Sequence, residues 1–96
     1  MDNTFSTPLL VQPLKLGADV VVHGAAKYLN GHGDVVAGFS AARKEIMDQI
    51  RMVRLKDITG AMVGPQEAFL ILRGLKTLKV RLDAVCANTQ KVVDFL

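Results

Sequence analysis

A single lysine, Lys27, follows a hydrophobic segment and opens a glycine-rich loop. The segment is Val20-Val21-Val22, and the loop reads Lys27-Tyr28-Leu29-Asn30-Gly31-His32-Gly33-Asp34. An ammonium group at the end of a buried strand is expected to be poorly solvated, which lowers the pKa of a lysine and makes its amine a usable nucleophile. The chemistry that this predicts is condensation with an aldehyde to form a Schiff base. The alternative, from position alone, is an ordinary solvated lysine at a strand end.

The other reactive side chains point less clearly to chemistry. His23 and His32 straddle the loop, but no third ligand has a recognisable spacing, so the sequence predicts loop-supporting histidines and no metal site. Tyr28 is predicted to pack or to hydrogen-bond within the loop. Gly31-His32-Gly33 is compatible with an anion-binding nest, although short glycine patterns are weak evidence. Cys86 is the single cysteine. It excludes an internal disulfide, fits a reducing compartment and is predicted to be buried and inert.

The elements that must hold this loop follow an α/β pattern. Two strands are predicted, at Ala18–His23 and Val35–Ser40, and neither alternates between apolar and polar residues. Continuous apolar strands are typical of a sheet that is covered by helices on both faces. Upstream, Pro8 excludes a continuing central strand, and Pro13–Leu16 is predicted to form a short helical turn that Gly17 ends.

Two helical segments are predicted after the strands. The first begins near Ala42 and frays near Leu55, followed by a connector from Asp57 to Gly64. Its apolar positions at helical spacing are Ile46, Met47, Ile50 and Val53. The second is a long amphipathic segment over residues 65–96, which starts at Pro65, where a missing N–H is harmless, and bends or breaks at Gly74. Its apolar stripe consists of Leu75, Leu78, Leu82, Val85, Thr89, Val92 and Leu96. Such a stripe predicts packing against an apolar surface.

Length and charge limit the possible partners. The chain has 96 residues, half of them hydrophobic, and 12 basic against 9 acidic residues give a net charge of +3. The charges are mixed, as in Lys44-Glu45 and Lys56-Asp57, whereas a nucleic-acid-binding protein would show one concentrated basic face. No apolar run approaches the ~18 residues of a membrane span, and no signal-peptide pattern is present. We therefore predict a cytoplasmic protein with neither a nucleic-acid nor a membrane partner.

Two stretches of the sequence resemble a known enzyme family. Asp2-Asn3-Thr4-Phe5-Ser6-Thr7-Pro8 and residues 27–38 are similar to the cofactor-lysine region of the Cys/Met-metabolism enzymes that use pyridoxal 5′-phosphate. Leu55–Ala61 and Arg73–Leu78 extend the resemblance over essentially the whole chain. The resemblance implies an α/β fold, namely the second half of the large domain of the aspartate aminotransferase-like transferases (fold type I). It also implies carbon–sulfur lyase chemistry on a sulfur-containing amino acid.

The family's functional residues map onto four positions of this sequence. By resemblance, Lys27 is the cofactor lysine, and Asp2, which precedes it by 27 − 2 = 25 residues, faces the cofactor's ring nitrogen. Thr4 and Ser6 are candidates for the lining of the cofactor cavity, and the alternative for both hydroxyls is a turn-capping role. Gly24 and Ala26 stand where the family carries a serine and a threonine that bind the phosphate. Each lost hydrogen bond to a charged acceptor is worth about 1.5–3 kcal/mol, so weaker cofactor binding is expected.

The resemblance also implies that residues 1–96 hold an incomplete site. In the family, the phosphate-binding glycine loop and the aromatic residue that stacks on the cofactor lie upstream of Met1, and the substrate-carboxylate arginine lies downstream of Leu96. The chain alone is therefore expected to be inactive, and the family's full-length enzymes are homotetramers. Two alternatives stay open: a cystathionine synthase or lyase of the same family, and a non-catalytic remnant or interaction module that presents the 75–96 stripe.

Overall fold

A small mixed sheet lies at the centre of the structure. The computed structural model describes residues 1–96. Strands β1 (Val20–Gly24) and β2 (Gly38–Ala42) pair antiparallel, with His23 opposite Phe39. The N-terminal segment runs parallel to β1 on its other side, because Asn3 N–H donates to Val22 O and Val22 N–H donates to Met1 O, both at 2.9 Å. Asp2 is therefore held directly beside β1.

The two predicted strands are present, but each is displaced towards the C-terminus. β2 begins at Gly38 instead of Val35, because the carbonyl of Ala37 accepts the N–H groups of Ala25 and Ala26, at 2.8 and 3.3 Å. Residues 35–37 thus bind the lysine loop and do not extend the ladder. The prediction that the strands are buried on both faces is wrong. Val21 is buried while Val22 is 42% exposed, the alternation of a sheet covered on one side.

Short helical turns connect the N-terminal segment to β1. Helix α1 (Thr7–Leu10) carries Pro8 in its first turn, which confirms that the extended segment ends there. Pro13–Leu16 forms a 3₁₀ helix, as predicted, and Gly17 ends it in the left-handed region at φ 96°. Glycine is favoured at this position because it has no Cβ to clash.

The helix after β2 is longer than the sequence predicts and changes type along its length. Helix α2 (Lys44–Gln49) continues into a π-helix (Ile50–Thr59), so the prediction of fraying near Leu55 and of a connector from Asp57 is wrong. Gly60 caps the C-terminal end of the π-helix, with a φ of 62° and an N–H that donates to Leu55 O at 2.6 Å. The wider π turn takes residues off the 3.6-residue period, so the predicted apolar stripe does not stay on one buried face.

The segment 65–96 forms two helices separated by a short turn. Helix α3 (Pro65–Leu75) begins at Pro65 as predicted, and helix α4 (Leu78–Phe95) follows. The break comes after Gly74, which itself lies buried in the last turn of α3. None of the helices combines the length and the apolar character needed to cross a bilayer.

The apolar stripe of α4 is buried only at its beginning. Leu78 and Leu82 are buried, whereas Val85, Val92 and Leu96 are exposed. Cys86 is also exposed, so the prediction that it is buried is wrong. The reason is that no element of residues 1–96 covers the second half of α4.

The buried core lies directly beneath the lysine loop. Ala25, Val35 and Ile71 form one apolar cluster, against which Ala37 and Leu70 pack. The core therefore joins the loop that follows β1 to helix α3. This packing fixes the side of the loop opposite Lys27.

Candidate functional site

The loop that carries Lys27 is wound into tight turns. Gly31 N–H donates to Lys27 O at 2.7 Å, and Ala25 and Leu29 on the inner side of residues 25–31 are almost fully buried. Lys27 lies on the other side and is exposed. The prediction of a poorly solvated amine is therefore wrong for this chain, because the buried side of the turn belongs to Ala25 and Leu29. The Lys27 amine forms neither a hydrogen bond nor an ion pair with any residue of the chain.

A chain of hydrogen bonds joins Asp2 to the start of this loop. The Thr4 hydroxyl donates to Asp2 Oδ1 at 2.6 Å, and the Thr4 N–H donates to the same oxygen at 2.8 Å. The Gly24 N–H in turn donates to the Thr4 hydroxyl oxygen at 2.7 Å. A Cβ atom built on Gly24 would lie 4.0 Å from Lys27 Cγ. The structure thus brings Asp2, Thr4, Gly24 and Lys27 into one neighbourhood.

Asp2 is held in its ionised form. The hydrogen bonds from the Thr4 hydroxyl, and next from the Thr4 N–H, lower the pKa of the Asp2 carboxyl below its ordinary value of 3.8, and a smaller lowering comes from His23. Desolvation of the carboxyl acts in the opposite direction and is outweighed. Asp2 is consequently a carboxylate at neutral pH, and its second oxygen has no partner within the chain.

The two positions with small side chains, Gly24 and Ala26, offer no free backbone donors. The Gly24 N–H is bound by Thr4, and the N–H groups of Ala25 and Ala26 are bound by Ala37 O. The Lys27 N–H donates to Gly24 O at 3.2 Å. The loop between β1 and Lys27 therefore has no unused backbone donor for an anion.

A second network fixes the far side of the loop. Asn30 Nδ2 donates to one oxygen of Asp34 and Arg73 Nη2 donates to the other, both at 2.6 Å. These bonds, with Asn30 first, lower the pKa of the Asp34 carboxyl. His32 Nδ1 lies 2.6 Å from Asn30 O, an acceptor, so this nitrogen is the donor. His32 has the contact expected of a loop-supporting histidine.

The remaining aromatic residues of the site pack as predicted for structural roles. Tyr28 makes an edge-to-face contact with Phe5, with ring centroids 6.2 Å apart. His23 is buried and packs against Phe39 at 5.3 Å, and its Nδ1 has no hydrogen-bond partner. No three His, Cys, Asp or Glu side chains of the chain come together as metal ligands would.

Arg81 is the residue that sequence reasoning missed. From helix α4 it reaches back across the loop, where Nη1 donates to Tyr28 O at 2.9 Å and Nη2 lies 3.4 Å from Asn30 O. Nη2 also donates to Gly74 O at 2.9 Å, and Nε donates to the Thr77 hydroxyl at 3.1 Å. The sequence carries no signal for this role, because nothing in it distinguishes Arg81 from the exposed arginines.

Lys27 and Arg81 line the same open cavity. The cavity has a volume of about 540 Å³, and Phe5, Tyr28 and Val85 contribute to its apolar walls. An unpartnered amine therefore faces a space large enough for a small molecule. The ionised Asp2 is attached to the same loop through Thr4.

Comparison with solved structures and with family models defines the class to which the chain belongs, the α/β pyridoxal-phosphate enzymes of fold type I. The chain superimposes over 98% of its length on 24% of cystathionine gamma-lyase from Lactobacillus plantarum, with a TM-score of 0.87 and 37% sequence identity. Residues 1–96 match the family described as Cys/Met metabolism PLP-dependent enzyme. The chain belongs to this family.

Curated relatives agree with this assignment. The chain is 60% identical over 96 residues to L-methionine gamma-lyase from Fusobacterium nucleatum, of which it covers 24%. It is 50% identical over 97 residues to cystathionine beta-lyase from Lactococcus lactis, of which it covers 25%. The chain thus spans about a quarter of the length of these relatives.

The family's cofactor, pyridoxal 5′-phosphate, has three polar groups: an aldehyde, a ring nitrogen and a phosphate. The residues present fit the first two. The free amine of Lys27 suits the aldehyde, and the ionised Asp2, with one unpartnered oxygen, suits a protonated ring nitrogen. The phosphate has no donor from residues 24–27, whose N–H groups are all used within the chain. Residues 24–27 thus supply no unused backbone N–H, and weakened phosphate binding stays a prediction.

Proposed function

We propose that residues 1–96 form the part of a pyridoxal-phosphate-dependent carbon–sulfur lyase that attaches the cofactor, with Lys27 as the attachment lysine. The observation that carries the proposal is the hydrogen-bonded series Asp2–Thr4–Gly24. It ties an ionised carboxylate to the start of the loop that presents a free amine. These are the two groups that an aldehyde-bearing pyridine requires.

Each residue would have a distinct role. When bound, the cofactor supplies an electron-withdrawing ring that takes up the electron pair released at a substrate carbon. Asp2 would hold a proton on the ring nitrogen, because its lowered pKa keeps it negative. The Lys27 amine would move protons between neighbouring substrate carbons as a general acid and base. Thr4 would orient Asp2, and Gly24 and Ala26 would flank the phosphate without binding it through a hydroxyl.

The substrate that we propose is L-methionine. With water it would give methanethiol, ammonia and 2-oxobutanoate, the reaction of a methionine gamma-lyase. Support comes from the 60% identity to the F. nucleatum enzyme, against 50% to the L. lactis cystathionine beta-lyase. Because the chain spans a quarter of these relatives, we expect residues 1–96 alone to release no methanethiol. A homotetramer remains a prediction for a full-length form.

A cystathionine gamma-synthase or gamma-lyase is the second candidate. The structural likeness to the L. plantarum cystathionine gamma-lyase, with a TM-score of 0.87, supports it. A third candidate, a non-catalytic interaction module, is favoured by the exposed apolar residues Val92, Val93 and Phe95 at the end of α4. The second candidate differs from a methionine gamma-lyase in its substrate, and the third would catalyse no reaction.

An absorbance titration tests the attachment of the cofactor. Pyridoxal 5′-phosphate is added to the chain, and a band near the visible region is expected that is absent in Lys27→Ala. Lys76→Ala is the matched control, since Lys76 is exposed and lies outside the loop. Absence of the band in the unmodified chain, or its persistence in Lys27→Ala, would contradict the proposal and favour the interaction module.

A further inference from the structure

We infer that Arg81 is a positioning residue for Lys27, because its guanidinium fixes the loop that presents the lysine amine. The inference rests on the proposed function in one respect, that Lys27 is the residue to which the cofactor is attached. It assigns to helix α4 a task in the site that neither the family match nor the sequence pattern indicates.

Arg81 contacts the backbone of Tyr28, the residue that directly follows Lys27 in the sequence. Lys27 O accepts the Gly31 N–H at 2.7 Å, and the next carbonyl, Tyr28 O, accepts Arg81 Nη1 at 2.9 Å. Tyr28 O has no other hydrogen-bond partner in the chain. The orientation of the Tyr28–Leu29 peptide bond, one residue beyond Lys27, is thus set by a residue 53 positions from Tyr28 in sequence.

The same guanidinium binds the turn between α3 and α4. Nη2 donates to Gly74 O at 2.9 Å, and Nε donates to the Thr77 hydroxyl at 3.1 Å. Arg81 thus links two backbone segments that have no covalent connection nearby. A guanidinium is suited to this because its donors form a rigid planar fork, whereas an ammonium group is a point charge.

Two glycines allow this close contact. A Cβ atom on Gly31 would overlap the Arg81 guanidinium, and one on Gly74 would overlap the carbonyl of Asn30. Gly31 also has a φ of 73°, in the region that favours glycine. The loop and the helical turn are therefore packed backbone to backbone, with the Arg81 guanidinium against Gly31.

The geometry argues against Arg81 as an anion receptor in the cavity that it shares with Lys27. An arginine side chain has five N–H donors. Four of them are directed at protein acceptors, namely the carbonyls of Tyr28, Asn30 and Gly74 and the Thr77 hydroxyl. A guanidinium so occupied holds backbone in place and has one donor left for a ligand.

The inference is tested with three variants of the chain. Arg81→Met removes all the contacts and Arg81→Lys keeps the charge without the fork. Lys79→Met is the matched control, because Lys79 lies on the same helix and pairs only with Asp83. The first measurement is amide hydrogen exchange in residues 25–31, which needs no cofactor. The second is the rate at which the Lys27-dependent absorbance band forms with pyridoxal 5′-phosphate.

We expect exchange in residues 25–31 to be at least about tenfold faster in Arg81→Met, since several charge-assisted hydrogen bonds are lost. Band formation is expected to slow by at least about tenfold, with Arg81→Lys intermediate and Lys79→Met unchanged. A general loss of stability would raise exchange equally in β1 and α4, so we expect the increase to be confined to the loop. Should Arg81→Met be unfolded, Arg81→Lys, which keeps the charge, carries the same comparison.

These measurements separate a failure of the positioning role of Arg81 from a failure of the proposed function. If the unmodified chain gives the band but Arg81→Met alters neither its rate nor the loop exchange, the positioning role is overturned while the proposed function stands. If the unmodified chain gives no band, the proposed function fails, and with it the assignment of Arg81 to cofactor attachment. Uniformly faster exchange throughout Arg81→Met would likewise overturn the positioning role in favour of a purely structural one.

Discussion

At the scale of single residues, Thr4 is the main cause of the lowered pKa of the Asp2 carboxyl in the candidate site. Its hydroxyl donates to Asp2 and accepts from Gly24, so one oxygen atom both lowers the pKa of the carboxyl and attaches it to the loop. Because these bonds are short, we expect the electrostatics of Asp2 to depend on Thr4 more than on any other neighbour.

The substitution Thr4→Val is predicted to raise the pKa of the Asp2 carboxyl, because the hydroxyl donor is lost while the shape is kept. The pKa of Asp2 is lowered by folding, so its contribution to stability is present above the ordinary value of 3.8 and is lost as the pH falls through the folded-state pKa. The difference in unfolding free energy between the two proteins should therefore shrink in that acid range. Carboxyl titration by NMR gives the pKa directly.

Thr89→Val is the control for this prediction. The Thr89 hydroxyl donates to Val85 O on the exposed face of α4, away from Asp2. It should leave the Asp2 titration unchanged. An unaltered Asp2 pKa in Thr4→Val would show that the backbone N–H of Thr4 alone suffices.

Restoring the two missing hydroxyls is predicted to strengthen cofactor binding. Gly24→Ser with Ala26→Thr should bind pyridoxal 5′-phosphate at least about tenfold more tightly, because each hydrogen bond to a charged acceptor contributes about 1.5–3 kcal/mol. The added Cβ at position 24 would lie 3.3 Å from Thr4 Cγ2, which requires a small shift of that methyl group. Titration midpoints measure the change.

The matched control is the pair Gly24→Ala with Ala26→Val, in which alanine keeps the added Cβ without the serine hydroxyl and valine has a methyl group in place of the threonine hydroxyl. Any cost of the close contact with Thr4 is then common to both proteins. Equal midpoints for the two pairs would remove the claim that hydroxyl groups are what this site lacks.

Gly74 shows at the scale of elements how tertiary contact reverses a local preference. Alanine is favoured over glycine inside a helix by about 1 kcal/mol, so Gly74→Ala in helix α3 would be expected from propensity to stabilise the chain. The structure predicts the opposite, because a Cβ there would overlap the backbone of Asn30. We expect a destabilisation of about 1–3 kcal/mol in denaturant unfolding.

Gln66→Ala is the control for the helix itself, since Gln66 is exposed in the first turn of α3. Its effect should stay within about 0.5 kcal/mol. A stabilising Gly74→Ala would mean that the contact between the lysine loop and α3 is looser than described.

The uneven burial of α4 gives a second prediction at this scale. Leu82 is 4% exposed and Val92 is 58% exposed, although both belong to the same apolar stripe. Leu82→Ala is predicted to lower the unfolding free energy by about 2–5 kcal/mol, and Val92→Ala to change it by less than about 0.5 kcal/mol. Similar losses at both positions would indicate that α4 packs along its whole length.

The elements that the sequence predicted well are those decided by local chemistry. Pro65 begins a helix and Gly17 ends a turn because their backbone preferences act within a few residues. The start of β2 was not predictable, since it depends on the Ala37 carbonyl being taken by the loop. The π-helix was missed because an apolar period of 3.6 residues assumes the α-helical hydrogen-bond pattern.

The residues of the candidate site likewise divide into those that a local sequence motif indicates and those that depend on contacts between distant parts of the chain. Lys27 and Asp2 were identified from their resemblance to a family motif, whereas Thr4 was predicted either to line the cofactor cavity or to cap the turn. The contact of Arg81 with Tyr28 joins residues 53 positions apart, and no periodicity or motif in the sequence encodes it. The solvent exposure of Lys27 was missed because the position after a valine-rich strand says nothing about what covers the loop.

At the scale of the whole molecule, a large part of the apolar surface is uncovered within residues 1–96. Val36 is 94% exposed and Leu96 is 96% exposed, while the buried core comprises few residues. The chain also spans only about a quarter of its curated relatives. We therefore interpret the exposed faces as surfaces that other parts of a full-length enzyme would cover.

The central claim is that Lys27 is the residue to which the cofactor is attached. Its most direct test is to add pyridoxal 5′-phosphate, reduce with borohydride, and map the modified lysines by mass spectrometry of peptides. The account predicts that Lys27 carries most of the label. The result that would contradict it is a label spread evenly over the other lysines of the chain, Lys15, Lys44, Lys56, Lys76, Lys79 and Lys91.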